Sequence, residues 1–352
     1  YFLDLKLRIR KVDQDATYDK ESLLKVIDQH HLNAVAVELF LFIIIMVMGT
    51  FRELPIFQIP AAASTLILFS FFIMFTGAFA YWLRAWSLTG LGVLIIVFNL
   101  LIQNEIIVSN YEAFGLNYNT TKAEYSLKRI EALNSKENYK KDYDHTIKIL
   151  NNWRAKFPIE KKPKIILTCF SGGGQRAAMW TITSLQNIDS TTNNKFTKHT
   201  MLMTGASGGL IGASYYRELY LLNRQNKLKD SLYSPVYLDK ISSDVLNPMI
   251  FSMVVSDFFL RFQKFSMGEY KYYKGRGFAF EQQLNSNLDN VLSKEIKDYT
   301  KAEYDSKIPM LIMSPTIIND GRKLFISSQP ISYMNSSPDS KLMLRYKGIE
   351  LN

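Results

Sequence analysis

The sequence predicts an α/β domain with a central, mostly parallel sheet, preceded by transmembrane helices. Three observations carry this. Residues 32–108 are apolar almost throughout. Lys164–Ala177 is a short apolar run that stops at Gly172-Gly173-Gly174 and resumes as a helix-like pattern. Met201–Gly209 repeats that plan, and strand, tight turn, helix is thus written twice.

The chain has 352 residues, a formal net charge of +10 and one cysteine, Cys169. That length suffices for one large domain or two modest ones. One cysteine excludes an intramolecular disulfide and a cysteine cluster for zinc. A basic balance suits nucleic acid or an anionic membrane surface, and the apolar segments favour the membrane. The chain begins at Tyr1 rather than Met and is read as part of a longer protein.

Residues 1–31 form a charged juxtamembrane segment, helical from Lys20 to His31. The transmembrane region, residues 32–108, is read as about three helices. Leu32–Met48 is interrupted only by Asn33 and Glu38. Pro60–Trp82 carries no charged residue, and Leu88–Ile102 follows Arg84 and Trp86. A span needs roughly 20 apolar residues, which the second segment supplies unaided. Tyr81, Trp82 and Trp86 suit a membrane boundary, and Glu38 requires a helix partner or an interfacial position. Lys6, Arg8, Arg10, Lys11, Lys20, Lys25 and Arg84 fall on one side, against Arg52 and Lys122 on the other. The asymmetry predicts a cytoplasmic N-terminal segment and a serine domain on the far side. Residues 109–160 read as a helical connector, with helices over Lys122–Leu133 and Asn138–Trp153, closed by Pro158 and Lys161-Lys162-Pro163. The α/β domain then occupies residues 161–352.

The second turn, Gly205-Ala206-Ser207-Gly208-Gly209, has the Gly-x-Ser-x-Gly frame of a nucleophile elbow. In such a turn the serine sits on a strained strand-to-helix corner, and glycines let the neighbouring backbone pass closely. The first turn offers backbone N–H groups at a helix N-terminus, which an oxyanion hole requires. The pair points to serine acyl-transfer chemistry. A nucleotide-binding reading of Gly172–Gly174 lacks a P-loop Gly-Lys-Ser/Thr and a fitting downstream acid.

Residues 164–223, carrying Ser171-Gly172-Gly173-Gly174-Gln175-Arg176-Ala177 and then Gly205-Ala206-Ser207-Gly208-Gly209, resemble the patatin-like phospholipases. The first motif is spelled closer to the calcium-regulated cytosolic phospholipases than to plant patatins. A looser likeness runs toward Pro330. The resemblance implies a three-layer α/β domain, incomplete at its C-terminus, in a membrane-anchored protein of the bacterial inner-membrane type. It implies Ser207 as nucleophile, with Gly172, Gly173, Gly174 and Gly208 at the oxyanion and substrate site. Arg176 would hold a substrate phosphate or polarise the site, as its planar fork suits. The substrate would be a membrane phospholipid or lysophospholipid within the bilayer, with no cofactor, no metal and no nucleic acid. A larger membrane complex is compatible. The alternative is a catalytically silent patatin-like membrane component that binds lipid or a partner protein.

Histidine provides an internal check. An ordinary α/β-hydrolase elbow needs a histidine after the serine, yet the four histidines, His30, His31, His145 and His199, all precede Ser207. Their placement agrees with the Ser–Asp dyad of the resembled family, whose aspartate stands in an Asp-Gly turn, and equally with a histidine in a C-terminal part beyond Asn352. Here Asp-Gly occurs only at Asp320-Gly321. The flanking runs Pro309–Ile318 and Arg322–Ser328 read as a β-hairpin, so Asp320 is the candidate within the chain while the family's aspartate is expected beyond Asn352. Val245–Phe262 reads as a buried helix or lid. Phe265–Phe280 mixes Lys271, Lys274 and Arg276 with Tyr270, Tyr272, Tyr273 and Phe278, which suits a membrane interface.

Overall fold

The computed structural model describes residues 2–3, 8–11, 20–104, 112–121, 124–258, 263–318, 320–335 and 349–351. Lys6, Lys122, Asn319 and the end of the Val245–Phe262 segment lie outside them. In chain order the elements begin with β1 (Phe2–Leu3), β2 (Ile9–Arg10), α1 (Lys20–Thr50), α2 (Ala61–Leu83) and α3 (Ser87–Gln103). Next come α4 (Leu127–Leu133), α5 (Lys136–Arg154), β3 (Ile166–Phe170), α6 (Gly174–Thr191), α7 (Lys195–His199), β4 (Thr200–Gly205) and α8 (Ser207–Arg224). After α9 (Val236–Ser242) and α10 (Leu246–Ser252) follow β5 (Lys264–Met267), β6 (Tyr270–Tyr273) and α11 (Arg276–Asn287). The last are α12 (Thr300–Tyr304), β7 (Met310–Met313), β8 (Leu324–Ser327) and β9 (Ile349–Leu351). The chain divides into two units, residues 1–120 with 244–283, and residues 121–243 with 284–352.

In the first unit all three expected apolar segments are helical. Among the described residues two stretches are long and apolar enough to cross a membrane, Leu24–Thr50 and Ala61–Gln103. The second contains both α2 and α3, joined through a 3₁₀ turn at Arg84–Trp86 where Arg84 takes φ 47°. Side chains such as Phe40, Ile73 and Ile96 point outward from these helices. The segment 244–283 belongs to this unit rather than to the α/β domain. Phe251 and Val255, on and just after α10, pack with Ile45 of α1, and Ile67 and Phe71 of α2 lie against them. Asn247 Oδ1 accepts from the Ala61 backbone N–H at 2.8 Å, satisfying one free donor of the α2 N-terminus. The buried-helix expectation for this segment is met, and its partners are the apolar helices. β5 and β6 form an antiparallel hairpin. Phe265 of β5 packs at a tilt against Tyr272 of β6 and Phe278 of α11, and Phe114 packs edge-on to Phe265.

The second unit is mixed α/β around a five-stranded sheet of order β3-β4-β7-β8-β9. β3–β4, β4–β7 and β8–β9 pair in parallel, and β7–β8 is antiparallel. Strand periodicity explains the layers, because alternate residues face opposite sides. Met203 and Leu311 face a core made with Ile182 and Leu185 of α6 and Leu210 and Leu219 of α8. Leu202, Met310 and Ile312 face Ile149 and Trp153, four residues apart on α5, and Met201 joins them where the β3–β4 register shifts by one residue. Each fully buried side chain of this kind contributes about 1.5–3 kcal/mol. α5 is therefore a core layer, and the unit starts at Thr121 rather than at residue 161. Composition hid this, since α5 is polar on every face but one. α4 and α5 start at side-chain caps, Ser126 accepting from the Arg129 N–H and Ser135 from the Asn138 N–H.

Candidate active site

β3 and β4 end level with each other, Phe170 registering opposite Gly205, so the two glycine turns emerge side by side at the C-terminal edge of the parallel strands. That edge is where open α/β sheets place ligands. Four glycines make the approach possible. A Cβ on Gly205 would overlap the Phe170 carbonyl oxygen, one on Gly208 the Gly174 carbonyl, one on Gly209 the Ser171 carbonyl and one on Gly212 the Ala178 carbonyl. The backbones of β3–α6 and β4–α8 touch over this whole length.

Ser207 is the first residue of α8 and has φ 57°, the left-handed region that a side chain disfavours. It is exposed. Across from it runs the first turn, where a Cβ on Gly172 would lie 3.6 Å from Ser207 Oγ. Gly173 takes φ 139° and Gly174 φ 61°, which only glycine adopts without strain. α6 and α8 both begin here, and neither has a side-chain cap. Their first-turn N–H groups thus face the turns without the serine caps that close α4 and α5. Two helix N-termini, each with partial positive charge, meet at one exposed hydroxyl. This geometry can hold negative charge developing on an oxygen beside Ser207.

Of the expected site residues, Ser207, Gly172, Gly173, Gly174 and Gly208 come together. Arg176 stands exposed on the first turn of α6, with no hydrogen-bond partner among the described residues. Asp320 is placed in the turn between β7 and β8, as the hairpin reading expects. There its carboxylate accepts from the Tyr125 hydroxyl at 2.6 Å and the Arg322 N–H at 3.0 Å, and it pairs with the Arg322 guanidinium. The Tyr125 hydrogen bond, together with Arg322, holds the Asp320 carboxyl below its ordinary value. No hydrogen bond joins Asp320 to Ser207 among the described residues. His199 gives its Nδ1 to the Lys164 carbonyl at 2.8 Å, and His145 Nε2 meets Gln329 Oε1 at 2.9 Å. Among the described residues no group of three or more His, Cys, Asp or Glu is placed to hold a metal ion.

Two supporting residues carry no sequence signal. Ser314, just past β7, binds the Gly205 carbonyl through its N–H (3.0 Å) and its hydroxyl (3.2 Å), anchoring the entry to the serine turn. Gln175 donates to the carbonyls of Ile241 (3.2 Å) and Ser243 (2.6 Å), tying the α9 end to the first turn of α6. Both act on backbone groups far off in sequence, which only the fold brings near. No family model, curated protein or solved structure matches the chain.

Proposed function

We propose that the chain is a membrane-anchored serine lipid acyl hydrolase of the patatin-like type, acting on phospholipids or lysophospholipids. Ser207 Oγ attacks the ester carbonyl, the C–O bond to the glycerol oxygen breaks, and that oxygen leaves with the proton. Water then hydrolyses the acyl-serine and releases the fatty acid. The N–H groups of the Gly172–Gly174 turn, with that of Gly208, stabilise the tetrahedral oxyanion, and removing one such donor typically costs about 100- to 1,000-fold in rate. Arg176, exposed beside the glycine turn, takes the lipid phosphate. The observation that carries this reading is the left-handed, exposed Ser207 beside the glycine turn at two uncapped helix N-termini. Apolar helices long enough to cross a bilayer support delivery of a lipid substrate.

A second reading has the same domain bind lipid or a partner protein without turnover. The engagement of Asp320 by Tyr125 and Arg322 favours it, because a carboxylate held below its ordinary value is a poor general base. One experiment separates them: fluorophosphonate labelling of the full-length protein in detergent, with Ser207→Ala and Asp320→Asn alongside. The expected result is labelling of wild type, none of Ser207→Ala, and undiminished labelling of Asp320→Asn. An unlabelled, folded wild-type protein would establish the silent reading, and loss of labelling in Asp320→Asn as well as in Ser207→Ala would make Asp320 the base.

A further inference from the structure

The α/β unit holds a second concave site that the serine chemistry leaves unused. A cavity of about 410 Å³ opens at the far end of α8, floored by Leu221, Tyr299 and Ala302 and rimmed by Lys227, Lys294, Lys301 and Lys307. Leu221 lies fourteen residues along α8 from Ser207, so at about 1.5 Å per residue the two sites stand roughly 20 Å apart. We propose that this cavity binds a phosphate monoester.

The lysines of the lining point to that ligand. Four lysines line the cavity together with one acid, Asp298, whose carboxylate accepts the Glu295 N–H at 3.0 Å. Lys294 is paired with Glu218 at 2.5 Å and Lys307 with Asp305 at 3.1 Å. Lys227 and Lys301 have no hydrogen-bond or ionic partner for their ammonium groups among the described residues. With Asp298 counted, one positive charge is in surplus, and Lys227 and Lys301 stay free to reach two of the three terminal oxygens that a phosphate monoester presents where a diester presents two. Ammonium groups on long stems suit it, as compact point charges that close on phosphate oxygens from several directions. Burial pushes the Tyr299 phenol well above its ordinary value, so it stays neutral in the floor and adds no repulsion. The C-terminal dipole of α8 accounts for one nearby cation, and Arg224, donating to the Lys307 carbonyl at 2.8 Å, already fills that role.

The soluble and lipid sources of such a group share this chemistry and are separated by the test. Full-length protein in neutral detergent is titrated with glycerol phosphate by calorimetry, and separately with mixed micelles carrying phosphatidic acid or phosphatidylcholine. Wild type and the double variant Lys227→Ser/Lys301→Ser are compared, with the thermal midpoint checking that the variant folds. The expected result is phosphate-monoester binding that weakens at least about tenfold in the double variant, a loss of about 1.4 kcal/mol. Equal affinity for glycerol phosphate and phosphatidic acid micelles identifies a soluble ligand, and preference for phosphatidic acid over both other probes identifies a lipid headgroup. No binding of either monoester, or equal binding by a folded double variant, overturns the proposal.

Discussion

In the proposed reaction the backbone of a single residue presents the nucleophile. Ser207 holds φ 57°, a conformation that costs a residue with a Cβ about 1–2 kcal/mol relative to the right-handed region. Such strain persists where function needs it. Ser207→Gly is therefore expected to be more stable than Ser207→Ala by about 1 kcal/mol in denaturation of the full chain, while both lose fluorophosphonate labelling. Equal midpoints would mean that the turn stores no strain. Lys156 gives a second residue-scale prediction. Its ammonium group donates to the Ser306 carbonyl at 3.1 Å, while burial, with Arg224 and Lys198 nearby, lowers its pKa to about 8. Between that value and the ordinary lysine value the unfolded chain keeps a proton that the folded chain has lost. Stability from this residue consequently rises as pH climbs from 8 toward 10. Above 10 the sign reverses, because buried Tyr215 and Tyr299 ionise later in the folded chain than in the unfolded one. Lys156→Met should flatten the rise between pH 8 and 10, measured as thermal midpoint against pH.

Elements are fastened to one another by a buried ion pair. The Glu303 carboxylate on α12 pairs with the Arg217 guanidinium on α8, accepts the Leu311 N–H of β7 at 3.1 Å and the Ser328 hydroxyl at 2.6 Å. Arg217 also donates to the Pro309 carbonyl at 2.8 Å and lies over the Tyr299 ring. One carboxylate thus joins a helix of the core layer to the strand that continues the sheet beyond β4. Removing one partner of a buried pair leaves the other charge uncompensated and costs about 3–5 kcal/mol. Glu303→Ala should lose that much in a denaturant titration, and Arg217→Met/Glu303→Leu should lose less than either single change. A double variant as unstable as the sum of the singles would refute the pairing. Arg217 and Glu303 attract no notice in the sequence, where neither belongs to a motif. The interest of each depends on a neighbour more than eighty residues away.

At the scale of the molecule the chain crosses between its two units more than once, since residues 244–283 leave the α/β unit and pack with the apolar helices. Those helices expose apolar side chains over stretches long enough to span a bilayer. The orientation expected from the lysine and arginine asymmetry, with the serine domain on the side away from the N-terminal segment, is open to a direct test. Cys169, the single cysteine, is exposed on β3 and so reports on sidedness without mutation. A membrane-impermeant maleimide is expected to label it from outside in intact spheroplasts. Labelling only after permeabilisation would place the domain in the cytoplasm and reverse the orientation.

The apolar helices, the two strand–turn–helix units, the serine turn and the hairpin around Asp320 were legible in the sequence because each is local. Hydrophobic period, glycine position and turn chemistry act within about ten residues, and they determined which residues form the serine site. Local patterns could not reveal that polar α5 closes one face of the sheet through Ile149 and Trp153. Nor did they reveal that Ser314 and Gln175 brace the two turns, or that four lysines from separate segments rim one cavity. The sequence by itself determined the chemistry available to the chain. Tertiary structure decided which distant groups meet, because those contacts depend on strand order and helix packing, and no local preference encodes either.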